Sequence, residues 1–340
     1  MARVFVTGAS GFIGGALASR LVERGDEVVA LARSDRAEAA VIARGARAVR
    51  GDVLDEDSLA AGMHGCELAF HVAGTNTHCP ADPSLLLATN VEGAVNAVRA
   101  AARTGIPRLV LTSSAASVGE AAGTVGHEET VHRGSYLSVY DRSKHLGELA
   151  AFAAARDQGI DVVAVNPSSV QGPGRSTGNG KIVIDYVNGS LRLFVDTAVS
   201  VVDVADTVEG HLLAAERGRP GRRYVLNGAT IPAREALEIV SGLTGVHQPV
   251  RMVAPRLAYS AAAVAELMAR TRGRATSLCR ARVRTILHGH RYDASRSQRE
   301  LGLAYTPIAE TFRRTIAWAV AEGLVTRPLP GLVEEGQVGG

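Results

Sequence analysis

A chain of 340 residues is long enough to bury a full core, as one large α/β unit with a smaller satellite or as two modest domains. Its net charge of +3 comes from basic residues scattered among acidic ones, which leaves no footprint for nucleic acid or an anionic membrane surface. Hydrophobic residues at 46% and charged residues at 21% are ordinary for a globular protein, and no stretch approaches the ~20 uninterrupted apolar residues that span a bilayer.

The three cysteines, Cys66, Cys79 and Cys279, are odd in number and lack the spacing of a zinc site or a disulfide framework. The expectation is unpaired thiols in a reducing compartment. The opening MARVFVTGASGFIG starts a strand almost at residue one and leaves no room for a signal peptide, so a cytoplasmic protein is expected.

Five short apolar runs, RVFVTG, EVVALA, ELAFHVAG, RLVLTSS and DVVAVNPSSV, are separated by helix-length stretches and show no polar alternation. Strands buried on both faces of a parallel sheet read this way. The alternation predicts an α/β fold, a Rossmann-type doubly wound parallel sheet whose ligand crevice lies outside the carboxyl ends of the strands.

The first run enters TGASGFIG, which sets Gly8, Gly11 and Gly14 between a strand and a helix. Backbone amides at the helix start, around Phe12 and Ile13, can there face a pyrophosphate with no Cβ in the way. A plain tight turn uses the same glycines; the place after the first strand of a βαβ unit favours a dinucleotide. The second run ends at Arg33, where NAD-binding folds present an acid to the ribose. A guanidinium there, with Ser34 and Arg36 beside it, suits a 2′-phosphate and favours NADP(H), while Asp35 keeps NAD(H) open. After a third short strand, Asp52 and the Val53 amide can meet the adenine edge, or Asp52 is a turn or cap residue.

Asn90 opens NVEGAVNAVRAA as an N-cap, or organises the active-site end of the sheet. LVLTSSAAS then brings hydroxyls at Thr112, Ser113, Ser114 and Ser117 to a strand end, any of which can hold a carbonyl oxygen. In YDRSK, Tyr140 and Lys144 are four apart and share one helix face. A tyrosine titrates near ~10, so a neighbouring ammonium is needed to make its phenol useful near neutrality. Such pairs are common on helix surfaces; the serine edge and the glycine turn at the same side of the sheet give this one meaning.

Beyond residue 170 the segment QGPGRSTGNGK reads as a mobile loop, SVVDVAD as a strand running into a helix, and RRYVLNG as another strand; the last hundred residues are mainly helical. The expected division is a dinucleotide-binding Rossmann domain over 1–170, to which 196–228 returns, a smaller, mainly helical substrate-binding part over 171–195 and 229–327, and a frayed tail over 328–340. His288 and His290 in HGH have no third ligand at recognisable spacing, so no metal is expected.

TGxxGxxG, a serine cluster and YxxxK, in this order, are specific. Through roughly residue 325 the chain resembles the extended short-chain dehydrogenase/reductase family. HVAGTN, NPSSVQGPG, VDVADTVEGHLLA and RSQRELG resemble its dihydroflavonol reductase, 3β-hydroxysteroid dehydrogenase and hopanoid-associated sugar epimerase-like branch. The resemblance implies that Ser114 polarises a carbonyl, with Ser113 or Ser117 as alternatives because AA after the serines shifts the register. It implies that Tyr140 donates the proton and that Lys144 holds the nicotinamide ribose while lowering the tyrosine pKa. Ala73, Gly74, Thr75, Thr112, Ser113, Pro167, Ser169 and Val170 would line the cofactor; Thr77, His78, Ser117, Gln171 and Tyr186 would face substrate, with Cys79 beside them. It also implies a homodimer built from SLLLATNVEGAVNAVRAAART and YDRSKHLGELAAFAAAR.

The activity expected is NADP(H)-dependent interconversion of a ketone or aldehyde with an alcohol on a fairly apolar small molecule. Ala115 and Ala116 after Ser114 remove the second acid of dehydratases that the chain resembles. An NAD-dependent epimerase of a sugar-like substrate and a non-catalytic dinucleotide sensor are the alternatives, the first distinguished by a retained cofactor.

Overall fold

The apolar runs pair side by side and in parallel, as strands covered on both faces must. The computed structural model describes residues 1–272, 276 and 278–331. β1 (Arg3–Thr7), β2 (Glu27–Ala32), β3 (Arg47–Arg50), β4 (Leu68–His71), β5 (Arg108–Thr112) and β6 (Asp161–Pro167) enter one sheet in turn. β7 (Ser169–Gln171), β8 (Leu193–Val195) and β9 (Ala198–Asp203) leave it, and β10 (Arg223–Leu226) returns. The seven-stranded order is β10-β6-β5-β4-β1-β2-β3. The chain runs outward from β1 to β3 and then crosses back to β4, so the order reverses between β1 and β4, and a crevice opens there.

The period of two along β1 divides the core. Val4 and Val6 pack with Leu17, Leu21 and Leu212, whereas Phe5 packs with Leu59, Met63 and Leu109. The first face is covered by α1 (Phe12–Glu23); α2 (Asp35–Ile42) follows β2, and α3 (Glu56–Met63) covers the second face. A short α4 (Ser84–Leu87) runs through a π-helical turn, Ala88–Glu92, into α5 (Gly93–Arg103), which packs with α6 (Val139–Gln158) on the second face.

Past the sheet come α7 (Gly180–Val187) and α8 (Val204–Arg217), the latter packing on α1. β11 (Ala229–Pro232) pairs antiparallel with β9, which pairs parallel with β7, and β12 (Arg251–Val253) pairs with β8. α9 (Ala233–Thr244), α10 (Pro255–Thr271), α11 (Arg280–His288) and α12 (Ile308–Ala321) complete the chain. Val183, Tyr186, Val187, Val240, Phe312 and Ile316 form a second core there. Leu329 packs on it and Gly331 N donates to Thr244 O at 3.0 Å, so the stretch expected to fray from residue 328 is held through 331, and 332–340 lie outside the described residues.

The cysteine expectation is corrected. Cys79 and Cys279 are disulfide-bonded across 200 residues, with Cα atoms 5.9 Å apart, and Cys66 alone is free. The fold brings the loop after β4 against the start of α11, a proximity that spacing in the chain does not encode. Among the described residues no helix is long and apolar enough to cross a membrane.

Candidate active site

Close backbone approach sets the glycines after β1. Gly8 has φ of 75°, and a Cβ there would meet Ala73 N at 2.7 Å. A Cβ on Gly14 would meet the Gly8 carbonyl oxygen at 2.3 Å. Gly11 caps α1 without a side-chain bond, and no acid stands in the first turn. The amides of Phe12, Ile13 and Gly14, which no helix can satisfy internally at its start, are left for an outside acceptor, and the helix dipole there favours an anion. These residues fit a dinucleotide pyrophosphate.

A cleft of about 1280 Å³ runs from this turn along the carboxyl edge of the sheet. Arg33, Ser34, Asp52 and Val53 line one end, with the Arg33 side chain 69% exposed and its Nη1 3.7 Å from Asp52 Oδ2. Asp35 is drawn away to Arg50, whose Nη1 donates to its Oδ1 at 2.6 Å. Ser34 Oγ also caps α2 by accepting from Ala37 N, and Asp52 Oδ1 accepts from Leu54 N at 3.0 Å in a turn. Arg36 is exposed and lies outside the cleft lining, contrary to its expected place in a phosphate pocket; it sits on the first turn of α2, past the strand end.

At the other end, Ser138 caps α6, its Oγ accepting from Asp141 N at 3.1 Å, and so places Tyr140 and Lys144 on the first two turns. Burial pushes the Tyr140 phenol above its ordinary pKa, while a hydrogen bond from Ser114 and the Arg175 charge pull it back. Burial brings Lys144 down to about 8, opposed by Glu148. Arg175 is thus a charge beside Tyr140 that the sequence did not single out. The Lys144 ammonium is anchored on the Thr112 carbonyl, Nζ to O at 2.8 Å. Gly74 faces it: a Cβ there would stand 3.6 Å from Lys144 Nζ and 3.1 Å from Asn90 Oδ1.

The glycine turn and the Tyr140/Lys144 helix thus bound one cleft in a sheet of the expected topology. The sequence pattern described as the NAD dependent epimerase/dehydratase family matches residues 4–226, well over half of the chain. The chain belongs to this family. A protein from Synechocystis sp., whose name assigns it provisionally to the dihydroflavonol 4-reductases, is 33% identical over 329 residues, 94% of this chain and 95% of that one. A Stigmatella aurantiaca protein, 4-hydroxy-2-methyl-3-oxo-4-farnesyl-3,4-dihydroquinoline-1-oxide ketoreductase, is 31% identical over 312 residues, 89% of this chain and 92% of the relative. The crystal structure of gox2253 superposes with a TM-score of 0.82 at 30% identity, covering 96% of this chain and 100% of that one. The family binds a nicotinamide dinucleotide, and the chain is an enzyme of its oxidoreducing, NAD(P)-dependent kind.

Buried imidazoles hold the family's sheet edge in place. Thr7 Oγ1 accepts from Val72 N and Ala73 N, at 3.1 and 3.0 Å, so its own proton goes to His71 Nδ1. His211 Nδ1 donates to Thr207 O at 2.6 Å, leaving Nε2 to accept from Thr112 Oγ1 at 2.7 Å. Asn90 is not an N-cap: within the π-helical turn its Oδ1 accepts from Thr75 N and its Nδ2 donates to Thr75 O and Ser143 Oγ. Ser143 Oγ in turn donates to Tyr140 O at 2.7 Å, which ties the loop after β4 to the helix that bears Tyr140 and Lys144.

Burial lowers His71 to about 3, helped by Lys144, and His211 to about 4. Both folded values lie below the unfolded one near ~6.5, so between these limits the unfolded chain binds more protons and stability falls as pH falls. Each histidine should cost on the order of 2 kcal/mol by pH 4.5, and His78 and His132, also lowered, act in the same direction. Urea unfolding at pH 7.0, 5.5 and 4.5 is expected to show a midpoint that drops throughout; a flat profile would contradict neutral buried imidazoles.

On the substrate side, Thr77, His78, Cys79 and Gln171 line the cleft, and the His78 ring meets Tyr140 edge-on with centroids 5.1 Å apart. Ala73, Thr75, Pro167, Ser169 and Val170 line it as expected, together with Ser113 and Ser114. Two residues are corrected. Ser117 is fully buried, donating to Glu148 Oε2 and accepting from Asn166 Nδ2, so it holds the scaffold and no substrate carbonyl. Tyr186 turns from the cleft into the second core, its OH donating to Val246 O. Arg175, in the glycine-rich run expected to be a mobile loop, was not among the expected site residues and lines the cleft. It donates to Val170 O at 2.8 Å and stacks 5.5 Å over the Phe12 ring. An arginine in the first turn past a strand end was its signal. His288 and His290 do find a third group, the buried carboxylate of Glu120, which is 170 positions from His290 and so invisible as spacing.

Proposed function

We propose that the chain is an NADP(H)-dependent carbonyl reductase or alcohol dehydrogenase acting on a fairly apolar small molecule. The observation that carries this is that Ser114, Tyr140 and Lys144 line the same cleft as the glycine turn, with Lys144 Nζ fixed on Thr112 O at 2.8 Å. The nicotinamide, when bound, supplies or accepts the hydride. Ser114 orients the carbonyl oxygen and Tyr140 gives it a proton. Lys144, fixed on Thr112 O, holds the nicotinamide ribose, and Arg175 stabilises the phenolate left after transfer. Ile182, Val183, Phe194, Leu237, Ile286 and Phe312 line the remaining cleft, which supports an apolar substrate.

NADP(H) is favoured because Arg33 faces the cleft while Asp35, the acid that would serve a ribose diol, is held by Arg50. Arg33→Ala should raise the KM for NADPH roughly 10–100-fold, the loss of one charge-assisted contact, and leave that for NADH nearly unchanged. Equal effects on both cofactors would count against a 2′-phosphate contact. The direct test is NADPH oxidation against a panel of steroid, flavonoid, polyketide and aryl ketones and aldehydes, with NADH alongside. A purified protein that keeps NAD through dialysis and turns over none of the panel would favour epimerisation. Leu85 on α4 and Leu149 on α6, 58% and 53% exposed, support the homodimer through these helices.

A further inference from the structure

α11 lines the cleft through Arg282, Thr285 and Ile286. This helix is pinned at its start by the bond between its N-cap Cys279 and Cys79. At its end, Gly289 adopts φ of 64° and turns the chain so that His288 and His290 lie together, ring centroids 4.6 Å apart. Both face Glu120, which follows the Ser114–Ser117 turn and is 1% exposed.

The hydrogen bonds of this cluster do not account for it. Glu120 Oε1 lies 2.5 Å from His290 Nδ1 and 3.4 Å from His288 Nε2, while His290 Nδ1 also meets Tyr292 OH at 3.0 Å. Glu120 Oε2 and His288 Nε2 are buried with no hydrogen-bond partner. A buried carboxylate is costly unless fully paired, and each buried polar atom left unpaired adds to that cost. One ligand atom from each of Glu120, His288 and His290 lies within 4.8 Å of the other two.

We propose that Glu120, His288 and His290 form a binding site for one zinc-class divalent ion, which clips the end of α11 to the loop after Ser114. Two imidazoles with one carboxylate suit a borderline ion, and not magnesium or calcium, which take oxygen cages. With bonds of about 2.0–2.2 Å, tetrahedral ligand atoms stand roughly 3.3 Å apart. The pair at 3.4 Å matches that spacing, and ion entry replaces the hydrogen bond at 2.5 Å and opens that pair by under an ångström. His290 and Tyr292 line the cleft, so the fourth position opens toward it and takes water or a ligand oxygen.

The test uses tag-free full-length protein, stripped with a chelator and titrated with Zn²⁺, and with Co²⁺ for its visible ligand-field bands. One equivalent is expected, with a tetrahedral-type cobalt spectrum and a melting temperature that rises with zinc concentration. His288→Ala with His290→Ala should weaken binding by more than about tenfold, because even outer-shell partners cost ~10–100-fold. Glu120→Gln, which keeps the side-chain shape, should weaken it as well. Dinucleotide affinity of the variants reports that they remain folded, and anomalous scattering at the zinc edge from soaked crystals locates the ion independently. No binding by the wild-type protein, one equivalent that survives in the double variant, or an anomalous peak away from Glu120 overturns the site.

Discussion

Tyr140→Phe is expected to lower kcat by about 10²–10⁴-fold while leaving dinucleotide affinity nearly unchanged. The substitution removes one oxygen and keeps the ring that packs edge-on against His78, so the cleft wall persists. What disappears is the phenolic proton. Steady-state NADPH oxidation with an accepted carbonyl gives kcat, and cofactor fluorescence gives affinity. Full activity in this variant would move proton donation elsewhere and sink the mechanism; a loss of cofactor binding with unchanged kcat would make Tyr140 a packing residue.

Gly14→Ala is expected to disable the opposite end of the cleft. Its methyl group would lie 2.3 Å from the Gly8 carbonyl oxygen, 2.7 Å from the Gly8 carbonyl carbon and 3.1 Å from Ala9 N. All three are backbone atoms, so no side chain can swing aside, and the turn itself must open. Overpacking of this kind costs about 1–3 kcal/mol, and the amides at the start of α1 move with the turn. Urea unfolding should show the destabilisation, and a dinucleotide titration should show affinity falling by more than about tenfold, the equivalent of ~1.4 kcal/mol. Unchanged affinity would mean that the amides around Phe12 and Ile13 do not receive the pyrophosphate.

The parts of the molecule that could be read in the chain are those whose physics is local. Unalternating apolar runs pointed to a parallel sheet because strands covered on both faces tolerate them, and β1 does pair in parallel with β2 and β4. Gly8, Gly11 and Gly14 announced a close turn because three glycines at that spacing relieve backbone contacts within a few residues. Tyr140 and Lys144 shared a face because the helix repeat places them so.

Groups distant in the chain were not legible in this way. The Lys144 ammonium rests where a carbonyl of β5 catches it, and Arg175 reaches the cleft because the loop after β7 folds back over Phe12. Ser117 carries the same hydroxyl as Ser114, yet the turn of Ala115–Ser117 buries one and presents the other.

By itself, then, the amino-acid order determined the strand and helix succession, the glycine turn, the capped helix bearing Tyr140 and Lys144, and the arginine at the end of β2, each through contacts within about one turn or one strand. Only the tertiary structure decided that Cys79 meets Cys279, that Glu120 meets His288 and His290, and that Asp35 is taken by Arg50. Those contacts close over spans of 15 to 200 residues, and their geometry comes from the packing of whole layers. No pattern in one short segment records where a second segment, folded by its own apolar faces, will come to rest against it.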